Sequence, residues 1–423
     1  MKIALVCDYG INPQGGGASI TAYRIREGLM GKHVDVRAFL GLCSIRKTSE
    51  GEECCQNHYT VLLANLATLS MRLNVRQIEK FFINLYFNSV KDLLVKKIRD
   101  YDPDLILVNS IHSMKLPLKT IDELGSRWPL AWILHDMWPM TGHCIYSYGC
   151  EKYRDGCDES CPDPEDYVPE NREVINWNWK EKKRTYTHLG DRLTFIATTD
   201  HFAEIARKSI IRNNHIEVIP YPIDVNVFHP QDKKDVRREL GLPEDKKILL
   251  FISIRLDNPR KGLKFLTDAL DQMDTDDYVI LAVGGISEKL SDERIIYTGF
   301  IRDPKKMARY YGASDLFIGP SVDEAFGTVF IEAYACGTPV IGFESGGIRD
   351  VIEDGVTGIL VKEKTPAALK EAIESYFRLP QDEIRAYEER CRKIAMKDYS
   401  MDVISERYIM LFEKILDESG RQD

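Results

Sequence analysis

The sequence predicts an α/β protein made of two doubly wound parallel sheets. Short apolar runs of strand length alternate with segments of helical period along the whole chain, the pattern of parallel strands joined by crossover helices. A proline-stiffened connection near the middle separates two such sets. The length, 423 residues, suits two or three domains with full cores.

In the first half the strands read near Ile3–Asp8, Val34–Leu40, Leu105–Asn109, Ala131–His135 and Leu193–Thr198. Val61 to Arg99 is rich in Leu, Phe and Tyr, interleaved with Arg72, Arg76, Lys80, Lys91, Lys96 and Lys97. It reads as one or two core-facing helices with solvated charges, or as an interfacial surface that meets a membrane or a lipid-linked acceptor. Ile216–Ile219 looks like a strand running into Pro220-Tyr221-Pro222, where two prolines forbid a helix. Second-half strands read near Ile248–Ile254, Tyr278–Val283, Ile295–Tyr297, Asp315–Ile318 and Pro339–Phe343. Met401 to Leu416 has apolar residues at helical spacing and should pack on a core.

Lys and Arg number 57 against 66 Asp and Glu, a formal charge of −9, with 44% hydrophobic and 29% charged residues. That balance is globular, and its acidity argues against a nucleic-acid partner, which needs a concentrated basic surface. Small phosphorylated ligands need only a few local cations. The amino terminus is too short an apolar run for a signal peptide, and Ile248–Ile254 is far below membrane-spanning length. The ten cysteines, with no export signal, are expected to be thiols or metal ligands in a cytoplasmic protein.

Three segments could carry chemistry. Gly15-Gly16-Gly17 follows the first strand and opens a helix, so it is either a plain tight turn or a loop whose amides meet an anion. Arg255, Arg260 and Lys261 cluster after a strand, at the sheet edge where α/β folds bind ligands, or form a solvated loop capping the next helix. The most specific segment is Glu324-Ala325-Phe326-Gly327-Thr328-Val329-Phe330-Ile331-Glu332. A helix starting near Gly327–Thr328 would aim the amides of Gly327, Thr328 and Val329 at an anion, with Glu332 a turn further in. Amides for phosphate and a carboxylate for ribose hydroxyls fit a nucleotide sugar, and the apolar neighbours of Glu332 argue against an idle surface helix.

Glu-x7-Glu, the upstream Arg/Lys-Gly pair and Gly346-Gly347-Ile348 resemble the retaining glycosyltransferases of family 4, over nearly the whole chain. The resemblance implies a GT-B fold: two Rossmann-like doubly wound domains facing each other across a cleft. Residues 1–215 would be the acceptor-side domain, 216–395 the nucleotide-sugar domain, and 396–423 a helix returning to the first. It implies that Arg255 and Lys261 hold the donor diphosphate, Glu324 contacts the transferred sugar and Glu332 binds the ribose. Phe300 and Ile301, after Gly299, would pack against the base. His135, at a strand end, would face the sugar, although a lone strand-end histidine is more often structural. The family's interdomain Pro-Asn-Gly is Pro220-Tyr221-Pro222 here, and its Gly-Gly-x-Pro-Glu is Gly346-Gly347-Ile348-Arg349-Asp350.

The function so implied is transfer of a sugar from a nucleoside-diphosphate sugar to a hydroxyl of a glycan or lipid-linked acceptor, with retention and no cofactor. It belongs in polysaccharide or glycoconjugate biosynthesis, with peripheral contact at the inner membrane face. The alternatives are a GT-B nucleotide-sugar epimerase and a silent sugar-nucleotide-binding scaffold. Cys144, Cys150, Cys157 and Cys161, spaced C-x5-C-x6-C-x3-C, suit a tetrahedral zinc site, with free thiols or a disulfide as the other reading. Cys7, Cys43, Cys54, Cys55, Cys336 and Cys391 show no ligand pattern.

Overall fold

A computed structural model describes residues 1–42, 51–72, 75–111, 118–162, 172–273, 277–288 and 292–420. The chain divides into two compact units. Residues 1–198, 203–219 and 405–423 form the first, and residues 199–202 and 220–404 the second.

The first unit holds a seven-stranded parallel sheet: β1 (Lys2–Tyr9), β2 (Asp35–Leu42), β3 (Glu52–Cys54), β4 (Leu105–Val108), β5 (Leu130–Ile133), β6 (Leu193–Ala197) and β7 (His215–Val218). The order is β3-β2-β1-β4-β5-β6-β7. Winding reverses between β1 and β4, and sheets of this kind take ligands outside the carboxyl ends of such a pair. Every residue of β4, β5 and β6 is buried, because helices cover both faces and leave no solvent side to select polar residues.

The 61–99 segment forms two helices, His58–Arg72 and Arg76–Tyr101. Leu63, Ala67, Val90, Leu94 and Ile98 are buried, while Leu62, Leu69, Met71, Val75, Ile78 and Phe81 are exposed. The second helix stops where Asp102 turns left-handed (φ 48°). Among the described residues no helix is long and apolar enough to cross a membrane.

The second unit holds six parallel strands: β8 (Lys247–Arg255), β9 (Tyr278–Gly285), β10 (Ile295–Gly299), β11 (Leu316–Gly319), β12 (Val340–Phe343) and β13 (Gly358–Val361). Their order, β10-β9-β8-β11-β12-β13, puts the reversal between β8 and β11. Leu249, Phe251, Ile280, Ile318, Ile341 and Phe343 pack from the sheet against Leu266, Leu369, Ile373 and Tyr376. The tail helix, Met401–Glu418, buries Ile404, Tyr408, Leu411, Phe412 and Ile415. Within the first unit it pairs Glu406 with Lys32 at 2.8 Å and Lys414 with Glu217 at 2.6 Å.

Two strands escaped the sequence reading. β3 and β13 sit at sheet edges, where one pairing partner suffices and a short run carries little pattern. One cysteine also corrects the expectation of thiols: Cys54, at the end of β3, is disulfide-bonded. Such pairing depends on which segments tertiary structure brings together, and spacing does not encode it. The remaining described cysteines are free thiols, and Cys43 lies outside the described residues.

Candidate active site

In the second unit the candidate residues gather at the carboxyl ends of β8 and β11. After β8 the chain makes a turn, Pro259–Lys261, capped by Asn258, whose side chain accepts from the Arg260 amide at 3.0 Å. Gly262 follows at φ 82°, and a Cβ there would stand 2.2 Å from the Pro320 carbonyl oxygen. Only glycine lets this turn close on the loop after β11. The contact is sealed by Val322 N–H donating to the Arg260 carbonyl at 2.9 Å.

That closure places two cations on one carboxylate. Lys261 Nζ donates to Glu324 Oε2, and Arg260 Nη1 lies 3.4 Å from the same oxygen while donating to the Asp323 carbonyl at 2.6 Å. The Glu324 side chain is only 11% exposed. Burial pushes its carboxyl up, but Lys261 and Arg260 outweigh burial and hold it below the usual range. Asp323 beside it moves the other way, raised by burial that Arg260 only partly offsets.

The Glu324 loop is gripped from its other side by Gly346 and Gly347. A Cβ on Gly346 (φ 50°) would meet the Glu324 carbonyl at 2.1 Å, and one on Gly347 the Ala325 carbonyl at 2.1 Å. Gly347 N–H donates to the Glu324 carbonyl at 2.7 Å. The glycine pair downstream of Glu-x7-Glu therefore acts as a clamp.

Helix Thr328–Ala335 begins where expected, with Gly327 at φ 84° as its N-cap, a residue that supplies no side-chain cap. The amides of Thr328 and Val329 are among those a helix leaves without internal partners. Glu332 is buried (8% exposed) and accepts from the Tyr311 hydroxyl at 3.0 Å.

Arg255 does not join the cation pair. Its side chain is 70% exposed and bridges to Asp257 at 3.2 Å, holding that carboxyl down to about 2 chiefly through the hydrogen bond. Phe300, half-exposed just past β10, lies along the same strand-end edge, with the Arg302 guanidinium 5.9 Å from its ring; Ile301 is partly buried.

In the first unit, helix Gly17–Gly31 opens on the glycine loop. Ser19 organises it, donating to the Gly10 carbonyl at 2.7 Å and accepting from Asn12 N–H at 3.3 Å. Of the three glycines only Gly15 is sterically required, since a Cβ there would meet Ser19 Oγ at 2.4 Å; Gly16 and Gly17 face open space. His135 follows β5, and its Nε2 lies 2.8 Å from Asn109 Oδ1. Asn109 directly follows β4 and is 2% exposed. Asp136 accepts from Trp138 N–H at 2.8 Å, capping the turn as its short side chain allows.

The cysteine loop brings His143 Nε2 to 3.3 Å from Cys161 Sγ. Cys157 is pushed up to about 12 by burial, with Cys144 and Cys150 near enough to add to the rise. Among the described residues no three His, Cys, Asp or Glu side chains converge into a group that could hold a metal ion.

Sequence reasoning had not assigned roles to Asn109 or Tyr311, nor seen that Arg260, not Arg255, meets Glu324. A buried polar residue directly following an all-apolar strand was a signal for Asn109. Nothing in the spacing favoured Arg260 over its neighbour.

Two doubly wound parallel sheets with candidate residues at their strand ends make the fold GT-B. Sucrose-phosphate synthase from Thermosynechococcus elongatus matches with a TM-score of 0.72 at 20% identity, covering 99% of both chains. HepE from Anabaena, in complex with UDP and glucose, matches with a TM-score of 0.63 at 19% identity, covering 98% of this chain and 100% of its own. Residues 232–398, which lie within the second unit, match the model of glycosyl transferases group 1. D-inositol 3-phosphate glycosyltransferases from Geodermatophilus obscurus and Nocardiopsis dassonvillei are 32% and 33% identical over 194 and 195 residues. These matches take in 41% and 42% of this chain and 41% and 45% of the relatives, so the chain spans less than half the length of the curated relatives it matches.

Proposed function

We propose that the chain transfers a sugar from a nucleoside-diphosphate sugar to an acceptor hydroxyl with retention of anomeric configuration. The observation that carries this reading is the buried Glu324 carboxylate held by Lys261 and Arg260 beside the uncapped start of helix Thr328–Ala335. Breaking the glycosyl–phosphate bond leaves charge on the departing diphosphate. Lys261, Arg260 and the amides of Gly327, Thr328 and Val329 are fixed before reaction and stabilise that charge without reorganising. Glu324 stays ionised between its cations, and its role is electrostatic and positional at the anomeric carbon. The departing phosphate takes the acceptor proton on the same face, so retention needs no second carboxylate.

Glu332 meets the ribose hydroxyls as a buried carboxyl group whose two oxygens can accept several hydrogen bonds, beside the Tyr311 hydroxyl that donates to it. Phe300 and Ile301 flank the base, and Arg255 exchanges Asp257 for phosphate when the donor arrives. The complex of HepE with UDP supports a nucleoside diphosphate as the donor's leaving group. The acceptor is a hydroxyl of a glycan or a lipid-linked saccharide. The exposed apolar residues of helices His58–Arg72 and Arg76–Tyr101 suit peripheral contact with a membrane carrying it.

The experiment is a panel of nucleotide sugars with acceptor extract, following nucleoside diphosphate release and the product's anomeric proton couplings. Release with one donor and an unchanged anomer supports the reading. Binding without turnover supports the scaffold, and an inverted anomer removes the retaining mechanism.

A further inference from the structure

We propose that Asn109 is a positioning residue that fixes the His135 ring in one tautomer, with the proton on Nε2 and the lone pair on Nδ1. The argument needs only the first unit. Asn109 is 2% exposed, and three elements hold it. Its backbone N–H donates to the Val6 carbonyl of β1 at 2.9 Å. Its Nδ2 donates to the Ala18 carbonyl, in the helix that opens on the glycine loop, at 3.3 Å. Its Oδ1 lies 2.8 Å from His135 Nε2, past the end of β5.

These contacts settle the amide and then the ring. A carbonyl oxygen only accepts, so the group facing Ala18 must be the amide NH2. That leaves Oδ1 facing His135, and Oδ1 also only accepts. Nε2 must therefore be the donor, and in a neutral imidazole the other nitrogen then carries the lone pair. The flipped amide would set two oxygens facing each other at 3.3 Å in a buried site and leave the Ala18 contact without a proton, the kind of unmade bond that buried polar groups avoid. Beside this corner Asp136 accepts from Trp138 N–H, and Lys182 donates to the Trp138 carbonyl.

The tautomer decides what His135 can do for a ligand. With Nε2–H committed to Asn109, the neutral ring carries its lone pair on Nδ1, so a group that hydrogen-bonds to that nitrogen must donate to it. This part rests on the proposed function and on the expectation, implied by the family resemblance, that His135 faces the transferred sugar. The tautomer itself does not. Asn109 also ties the ring to the helix behind the glycine loop, so the loop and the histidine are set by one amide.

The test is a long-range proton–nitrogen correlation spectrum of the full chain, selectively 15N-labelled at histidine, at a pH where the ring is neutral. A His135→Gln sample assigns the resonances. The expected result is a protonated Nε2 in the native chain and mixed tautomers in Asn109→Leu. Asn109→Asp retains an acceptor and restores the Nε2–H form. A native ring protonated on Nδ1, or an Asn109→Leu ring unchanged from native, overturns the proposal. If Asn109→Leu does not fold, the native and Asn109→Asp spectra still decide. Where turnover is measured, Asn109→Leu is expected to lower kcat about tenfold, the scale of one hydrogen bond, with nucleoside diphosphate affinity unchanged. Absence of turnover in the native chain would remove the transferase reading and leave the tautomer result standing.

Discussion

Glu324 shows how a single carboxylate can be costly to bury and still ionised. Burial disfavours its charge, and Lys261 and Arg260 more than compensate. Replacing it by Gln keeps the shape and removes the charge, and should lower kcat about 10²–10³-fold if Glu324 stabilises developing charge. Steady-state kinetics with the best donor checks this. The depressed carboxyl also links to stability. The ionised form contributes stability at pH above the unfolded value of about 4.3, and that contribution is lost as pH falls below it through the lower folded value. Thermal melts from neutral pH down to about pH 3 should therefore show the native chain's advantage over Glu324→Gln shrinking with acidity. An advantage that grew towards acid would contradict the direction of the shift. Asp323, raised by burial, works in the opposite sense and makes the acid limb shallower than Glu324 alone would give.

At the scale of elements, the site depends on glycines that bring one loop's backbone against another. Gly262→Ala must put a Cβ 2.2 Å from the Pro320 carbonyl oxygen on a residue at φ 82°. The strain and the forced separation of the two loops should cost about 2 kcal/mol or more, measured by denaturant unfolding. Gly17→Ala is the contrast, since its Cβ would meet nothing within 4 Å at the start of a helix. It should be neutral or stabilising by up to about 1 kcal/mol, because alanine loses less freedom in a helix than glycine.

The same contrast separates what was legible from what was not. Glu324 and Glu332 could be read because strand end, glycine and helix start follow one another within a few residues, and local order fixes where both carboxylates point. Gly346 and Gly347 announced themselves as a pair, although their role as a clamp on Glu324 appears only when loops 22 or more residues apart in sequence meet. For Asn109 the sequence marks only a polar residue after an apolar strand; its side-chain partners, 91 residues before it and 26 after it, leave no local trace. Arg255 misled for the opposite reason: its nearest acid, Asp257, is two residues away and captures it locally.

For the whole molecule, the net charge of −9 says nothing about the ligand, because two cations and a helix start supply the local field. The tail has a structural role. Phe412 is fully buried and Tyr408 nearly so, and together they anchor the last helix in the first unit. Phe412→Ala should cost about 3–5 kcal/mol by calorimetry or denaturant unfolding, as for other large aromatic truncations in cores.

In the proposed function, Lys261, Arg260 and Glu324 form the donor-diphosphate and transfer centre. Its most direct measurement is turnover of the best nucleotide sugar by the native chain and by Glu324→Gln, read as nucleoside diphosphate release at saturating donor. The expected result is release by the native chain and a loss of about 10²–10³-fold in the variant, with nucleoside diphosphate still bound. Equal rates in the two proteins, or no donor bound or turned over by the native chain, would contradict it.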